Sequence, residues 1–172
     1  MKSTFVNRAI LVLSLAAMPM FAAGATDSAT TTLGVTVSAE ASITVTQSPT
    51  LAKATTEFEA YVGNTTFTYK VRTAESGGSG SVTALVTTAF AVGSGITTAD
   101  LSHVVTGDGI GTENGSTTTA SASEATNIIT FGEAAHSADS GDSATIAWTL
   151  ADRPTYKTGP WSTVVTLTIT SI

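Results

Sequence analysis

Hydrophobic and polar residues alternate along most of this chain with a period of two. In the last stretch, Trp161-Ser-Thr-Val-Val-Thr-Leu-Thr-Ile-Thr-Ser-Ile172, Trp161, Thr163, Val165, Leu167 and Ile169 fall on one face of an extended backbone, and Ser162, Val164, Thr166, Thr168 and Thr170 on the other. That is the signature of a half-buried β-strand, written in residue types that suit a pleated surface. Near the other end, Leu33, Val35, Val37, Ala39, Ala41, Ile43 and Val45 alternate without interruption with Gly34, Thr36, Ser38, Glu40, Ser42 and Thr44. A typical strand is about 5–6 residues long. The stretch therefore reads in one of two ways. It is a free extension (about Thr26 to Val37) followed by a first core strand (about Ala39 to Val45), or it is one long strand that crosses between two sheets.

Between these ends the pattern predicts a series of short strands. Ser48-Pro49 marks a turn. Thr55–Val62 and Thr65–Thr73 flank Gly63-Asn64, a two-residue hairpin signal. That turn would pair Ala60 with Phe67, Phe58 with Tyr69 and Glu57 with Lys70. Phe58, Ala60, Val62, Phe67, Tyr69 and Val71 would then share the apolar face, with Glu57 and Glu59 facing Lys70 and Arg72. Glu75-Ser-Gly-Gly-Ser-Gly80 has the composition of a flexible loop. Strands follow at Ser81–Thr88, extended by Phe90 and Val92, and at Leu101–Val105, with a turn at Gly93-Ser-Gly95 between them. Thr106 to Glu124 reads as a long surface loop. Further strands are expected at Ala125–Phe131, with Ile129 and Phe131 on one face, and at Ala144–Leu150, with Ile146, Trp148 and Leu150 on one face. Ala151 to Pro160 connects to the last strand, with Tyr156 packing back on the edge. Seven to nine short strands with Gly/Ser-rich turns and no amphipathic helix predict an all-β fold, an antiparallel Ig-like β-sandwich.

Residues 1–25 stand outside this pattern. Lys2 and Arg8 precede the apolar run Ala9–Met18, Pro19 breaks it, and Ala23-Gly24-Ala25 is a small-x-small cleavage site. This is a secretory signal peptide, since a membrane span needs about 20 apolar residues. The expected organisation is a leader at 1–25, an extension or donor strand at 26–37 and a sandwich at 38–172, in a chain exported to the periplasm, cell surface or an extracellular filament. Two of the 7 basic residues, Lys2 and Arg8, leave with the leader, so 5 remain against 13 acidic ones, a formal charge of −8. Scattered negative charge argues against nucleic acid or an anionic membrane as a partner of the mature chain, because both select clustered Lys and Arg. There is no cysteine, so an exported domain that would commonly use a disulfide rests on its core alone.

No catalytic set assembles from the sequence. Glu57 and Glu59 have the residue types of a glycosidase pair, but the expected hairpin makes them solvated partners of Lys70 and Arg72. Asp108-Gly-Ile-Gly-Thr-Glu113 fails as a calcium loop, with Ile110 and Thr112 at its third and fifth positions and Thr119 at the twelfth. This stretch and Asp139-Ser-Gly-Asp142 are accounted for by turn chemistry. His103 and His136 have no ligand spacing, which leaves them as surface or turn residues, and no serine sits in a nucleophile elbow. No metal and no cofactor is expected. Asn64-Thr-Thr66 and Asn114-Gly-Ser116 fit the glycosylation pattern. Trp148 and Trp161 could stack as a sugar platform, although aromatic residues more often pack in a core or at an edge.

The stretch Gly159-Pro-Trp161-Ser-Thr-Val-Val-Thr-Leu-Thr-Ile169 resembles the C-terminal motif of the spore-coat-U type subunits of archaic chaperone–usher pili. Gly159 matches the family's glycine. Trp161 stands where the family usually has Tyr, and Val165, Leu167 and Ile169 match its apolar positions. Thr163 stands where the family often has Asp, and Ile43 lies near the position of a first-strand Cys that the family usually carries. The resemblance implies a structural subunit of a pilus or surface filament assembling by β-strand complementation. Leu33, Val35 and Val37 would be donor residues, and copies of the chain, related subunits and a periplasmic chaperone its partners. Two other readings stand beside it: a self-contained secreted sandwich acting as adhesin, coat or carbohydrate-binding module, and an exported hydrolase, for which no acid/base set is found.

Overall fold

A computed structural model describes residues 28–53, 57–107 and 109–172. The expected leader, with Thr26 and Asp27, lies outside the described residues, as does Asp108. The chain divides into two compact units, Met1–Val35 and Thr36–Ile172. In the first, residues 28–35 carry no regular structure, and Leu33 and Val35 are exposed. The sandwich belongs to the second.

Among the described residues ten strands form two antiparallel sheets. β1 (Glu40–Gln47), β2 (Ala52–Lys53), β3 (Tyr61–Arg72), β5 (Leu101–Gly107), β7 (Thr118–Thr119) and β9 (Asp142–Leu150) make one sheet, in the order β1-β3-β9-β5-β7, with β2 also paired to β3. β4 (Gly80–Thr88), β6 (Thr112–Glu113), β8 (Thr126–Phe131) and β10 (Val164–Ser171) make the other, in the order β10-β4-β8-β6. The sheets pack face to face as an all-β sandwich. The core is what period-two alternation places between them: Phe67, Tyr69 and Val71 from β3, Val82, Ala84 and Val86 from β4, Leu101 and Val105 from β5, and Ala144, Ile146, Trp148 and Leu150 from β9. β8 breaks the alternation, because Ile128 and Ile129 are both buried. Its register slips from Val82↔Ile129 to Thr83↔Asn127, so Ile128 is the extra residue of a bulge and turns inward with its neighbour.

The expected hairpin at Gly63-Asn64 does not form. Gly63 and Asn64 lie inside β3, which runs straight through them and pairs Gly63 with Trp148 and Asn64 with Ala147. The reason is steric. A Cβ at Gly63 would come within 2.9 Å of both Leu51 Cδ2 and Pro49 Cβ. The glycine thus serves the close approach of the 48–51 segment, a role glycine often has within a strand. The phase of Phe67, Tyr69 and Val71 continues backwards to Thr65 and Tyr61, so Val62 points outward, and Phe58 is exposed with φ 60°. Lys70 opposes Ser42, not Glu57. Arg72 opposes Glu40 and pairs with it, so Glu57 and Glu59 are not the partners of Lys70 and Arg72.

Other boundaries also move. β4 stops at Thr88; Phe90 is buried beyond it, and Val92 opens a short 3-10 turn. The final strand starts at Val164 rather than Trp161. The expected loop at Thr106–Glu124 contributes the end of β5 and two short strands: β6 pairs with β8, and β7 with β5. Its path is pinned where the Tyr69 hydroxyl donates to the Ile110 carbonyl at 2.7 Å and the Ile110 N–H donates to Asp142 Oδ2 at 2.9 Å. Burial, helped by the nearby Asp142 and Glu113 carboxylates, pushes the Tyr69 phenol up to about 12.

Replacing Gly63 with valine tests the close approach. Overpacking of this kind costs about 1–3 kcal/mol, so the urea midpoint of Gly63→Val should fall with the m-value unchanged. An unchanged midpoint would show that the 48–51 segment moves aside at no cost.

Candidate functional site

The two sides of the sandwich end differently. On one side the outermost strands are β6 and β7, two residues each. Short edges of this kind give an incoming strand little to pair with. On the other side the outermost strands are β1 and β10, eight residues each, and neither carries a Pro. Their inward rows are incompletely covered. Ala41 and Ile43 on β1, and Val165, Leu167 and Ile169 on β10, are only half-buried, and Val45 is 46% exposed.

A groove of about 1030 Å³ reaches both strands: Val45 of β1 and Val165 and Leu167 of β10 line it, together with Trp161. Leu101, Trp148 and Leu150 reach it from the core, and Lys53, Phe58, Tyr61 and Arg153 stand at one end. Strand order explains the groove. An immunoglobulin-type sandwich has strands A-B-E-D in one sheet and C-F-G in the other. Here β1-β3-β9-β5 follows A-B-E-D, and β4 and β10 stand as C and F. Among the described residues no strand stands beside β10 in the place of G.

Of the residues singled out from sequence, Val165 and Leu167 line the groove, and Ile169 continues the same row toward the far end of β10. Trp161 precedes the strand. Its indole N–H donates to the Lys157 carbonyl at 2.7 Å, and Gly159, at φ +152°, lies against its ring. Leu33, Val35 and Val37 are 91%, 86% and 62% exposed and lie in no strand. Sequence reasoning did not find Val45, Lys53, Tyr61 or Arg153 as groove residues. Their place depends on strand order, which has no local signal.

Charge is concentrated at the Lys53 end. Lys53 pairs with Asp152 and lies 5.5 Å and 5.2 Å from the ring centres of Phe58 and Tyr61, within cation–π range. Its hydrogen bond to Asp152 raises its pKa. Arg153 Nε donates to Asp100 Oδ1 at 2.7 Å, while the Thr97 N–H and hydroxyl donate to Asp100 Oδ2 at 3.0 and 2.8 Å. Burial pushes Asp100 up, but these hydrogen bonds outweigh it and hold the carboxyl at about 2. Lys53 and Arg153 each already have an acid. The lining mixes apolar side chains with hydroxyl and charged ones.

One sequence expectation about rings changes. His103 is not a surface residue. It faces the core from β5, is 3% exposed, and packs against Trp148 at 5.1 Å between ring centres with its Nδ1 unpartnered. Trp148 is also buried, with its indole N–H donating to Thr65 Oγ1 at 2.9 Å, and like Trp161 it lines the groove.

No protein-family model, curated protein or solved structure matches the chain.

Burial lowers the pKa of His103 below its ordinary 6.5. The unfolded chain therefore takes up a proton at this residue at a higher pH than the folded one. Stability is complete above about 6.5 and falls as pH drops through that value toward the lower folded pKa. Urea midpoints taken from about pH 7.5 down to about pH 5 should decline, and His103→Phe should flatten the decline. An equal slope in the variant would assign the pH dependence to other groups.

Proposed function

We propose that this chain is a structural subunit of a surface filament that assembles by β-strand complementation, in the manner of the spore-coat-U type pilus subunits that its C-terminal strand resembles. The extension of one copy, with Leu33, Val35 and Val37 on one face, fills the place beside β10 in the next. The observation that carries this reading is the pair of eight-residue edge strands, β1 and β10, with no described strand beside β10 and a groove that Val45, Val165 and Leu167 help to line. The extension has the complementary form: strand alternation with no strand partner and apolar side chains open to solvent.

Strand addition at a sheet edge draws affinity from main-chain hydrogen bonds and specificity from alternate side chains in pockets. Burying Leu33, Val35 and Val37 at about 1.5–3 kcal/mol each contributes at most about 5–9 kcal/mol. Copies of the same chain or related subunits are the partners, and a periplasmic chaperone would cover the groove before assembly. Export by the leader precedes both steps.

Val35→Asp tests the donor. Losing the valine's burial alone weakens docking by about one to two decades. The variant should be exported and folded but unassembled, and should bind a peptide of residues 28–39. Assembly is read by unheated gel and negative-stain electron microscopy. Filaments unaffected by Val35→Asp, or an unaltered chain that stays a compact monomer at every concentration, would sink the reading and favour a self-contained secreted sandwich.

A further inference from the structure

We infer that the start of β1 is built to favour the extension serving another copy of the chain over closing its own groove; this rests on the filament reading above. The observation is one of phase. Leu33, Val35, Val37, Ala39, Ala41, Ile43 and Val45 share one face as long as the backbone runs straight, and on β1 that face points inward. To fill its own groove, the extension has to reverse and run back along the free edge of β1.

A reversal over Ser38-Ala39 sets Val37 opposite Glu40, Val35 opposite Ser42 and Leu33 opposite Thr44. Directly opposed residues share a face, and Glu40, Ser42 and Thr44 are exposed. The tightest hairpin therefore turns the whole apolar set to water. The shortest inward register sets Val37 opposite Ala41, Val35 opposite Ile43 and Leu33 opposite Val45, through the three-residue loop Ser38-Ala39-Glu40. Loops of that length end on a residue in the left-handed region, usually glycine. Here that residue is Glu40, the first residue of β1, and none of Ser38, Ala39 and Glu40 has a positive φ.

Arg72 adds to this from the neighbouring strand. Its Nε donates to the Ser38 carbonyl at 2.9 Å and its Nη2 to Glu40 Oε2 at 3.0 Å, so one guanidinium ties both ends of the segment that would have to turn. An exposed ion pair of this kind contributes little by itself. The phase and the missing glycine set the bias, and Arg72 is a positioning residue.

The chain has no cysteine of its own, so an engineered pair reports cleanly. In the inward register Leu33 and Val45 lie opposite each other at a separation a disulfide can span. The full chain carrying Leu33→Cys and Val45→Cys is exported, oxidised and run on a non-reducing gel. On the otherwise native background it should give no intrachain cross-link. Adding Glu40→Gly, which supplies the left-handed residue and releases Arg72, should give a cross-linked monomer and a several-fold loss of assemblies. Glu40→Asn, which also tolerates that conformation, should do the same if the glycine variant folds poorly. Ser38→Asn with Ala39→Gly, an ideal two-residue turn in the wrong phase, should leave assembly intact. An intrachain cross-link on the native background, or closure by the Asn-Gly variant as complete as that by Glu40→Gly, overturns this inference alone. Absence of any interchain species from the native chain without the cysteines overturns the filament reading and this inference with it.

Discussion

A sheet edge leaves a row of backbone N–H and C=O groups without partners, and a sandwich has to end each sheet somewhere. This chain ends its sheets in two ways. β6 and β7 stop after two residues each, and the segment between β5 and β8 that contains them is held by Tyr69 and Asp142 through Ile110. β1 and β10 run for eight residues with regular alternation. The same chain thus blunts one side and leaves the other open. On the open side Val45 and Leu167 are both lining residues of the groove.

The fold was legible from sequence wherever alternation ran unbroken. Val165, Leu167 and Ile169 share a half-buried face, as do Ile146, Trp148 and Leu150 a buried one, because a period of two needs only local geometry to place side chains. Gly63-Asn64 misled because the composition that makes a two-residue turn also marks a strand under a close neighbour. The deciding atoms belong to Pro49 and Leu51, and nothing near Gly63 in sequence announces them. His103 carried a usable signal. It shares phase with Leu101 and Val105, so a reading by phase rather than by polarity places it in the core. The groove was not legible at all. It arises from β10 pairing with β4 and β1 with β3, contacts made between residues far apart along the chain.

The absence of cysteine sharpens the consequence of an open side. A disulfide anchored on the first strand would fasten that strand to the sandwich whether or not the edge was paired, chiefly by restricting the unfolded chain. Without one, β1 is held by its ladder to β3 and by the partial burial of Ala41 and Ile43. Its cohesion then depends on what pairs with its other edge. On the filament reading, a strand docked beside β10 would add backbone bonds to its open edge and cover its apolar row, so docking and stability would become one equilibrium. On the filament reading proposed above, the isolated subunit would be the weaker form and the assembled one the stronger.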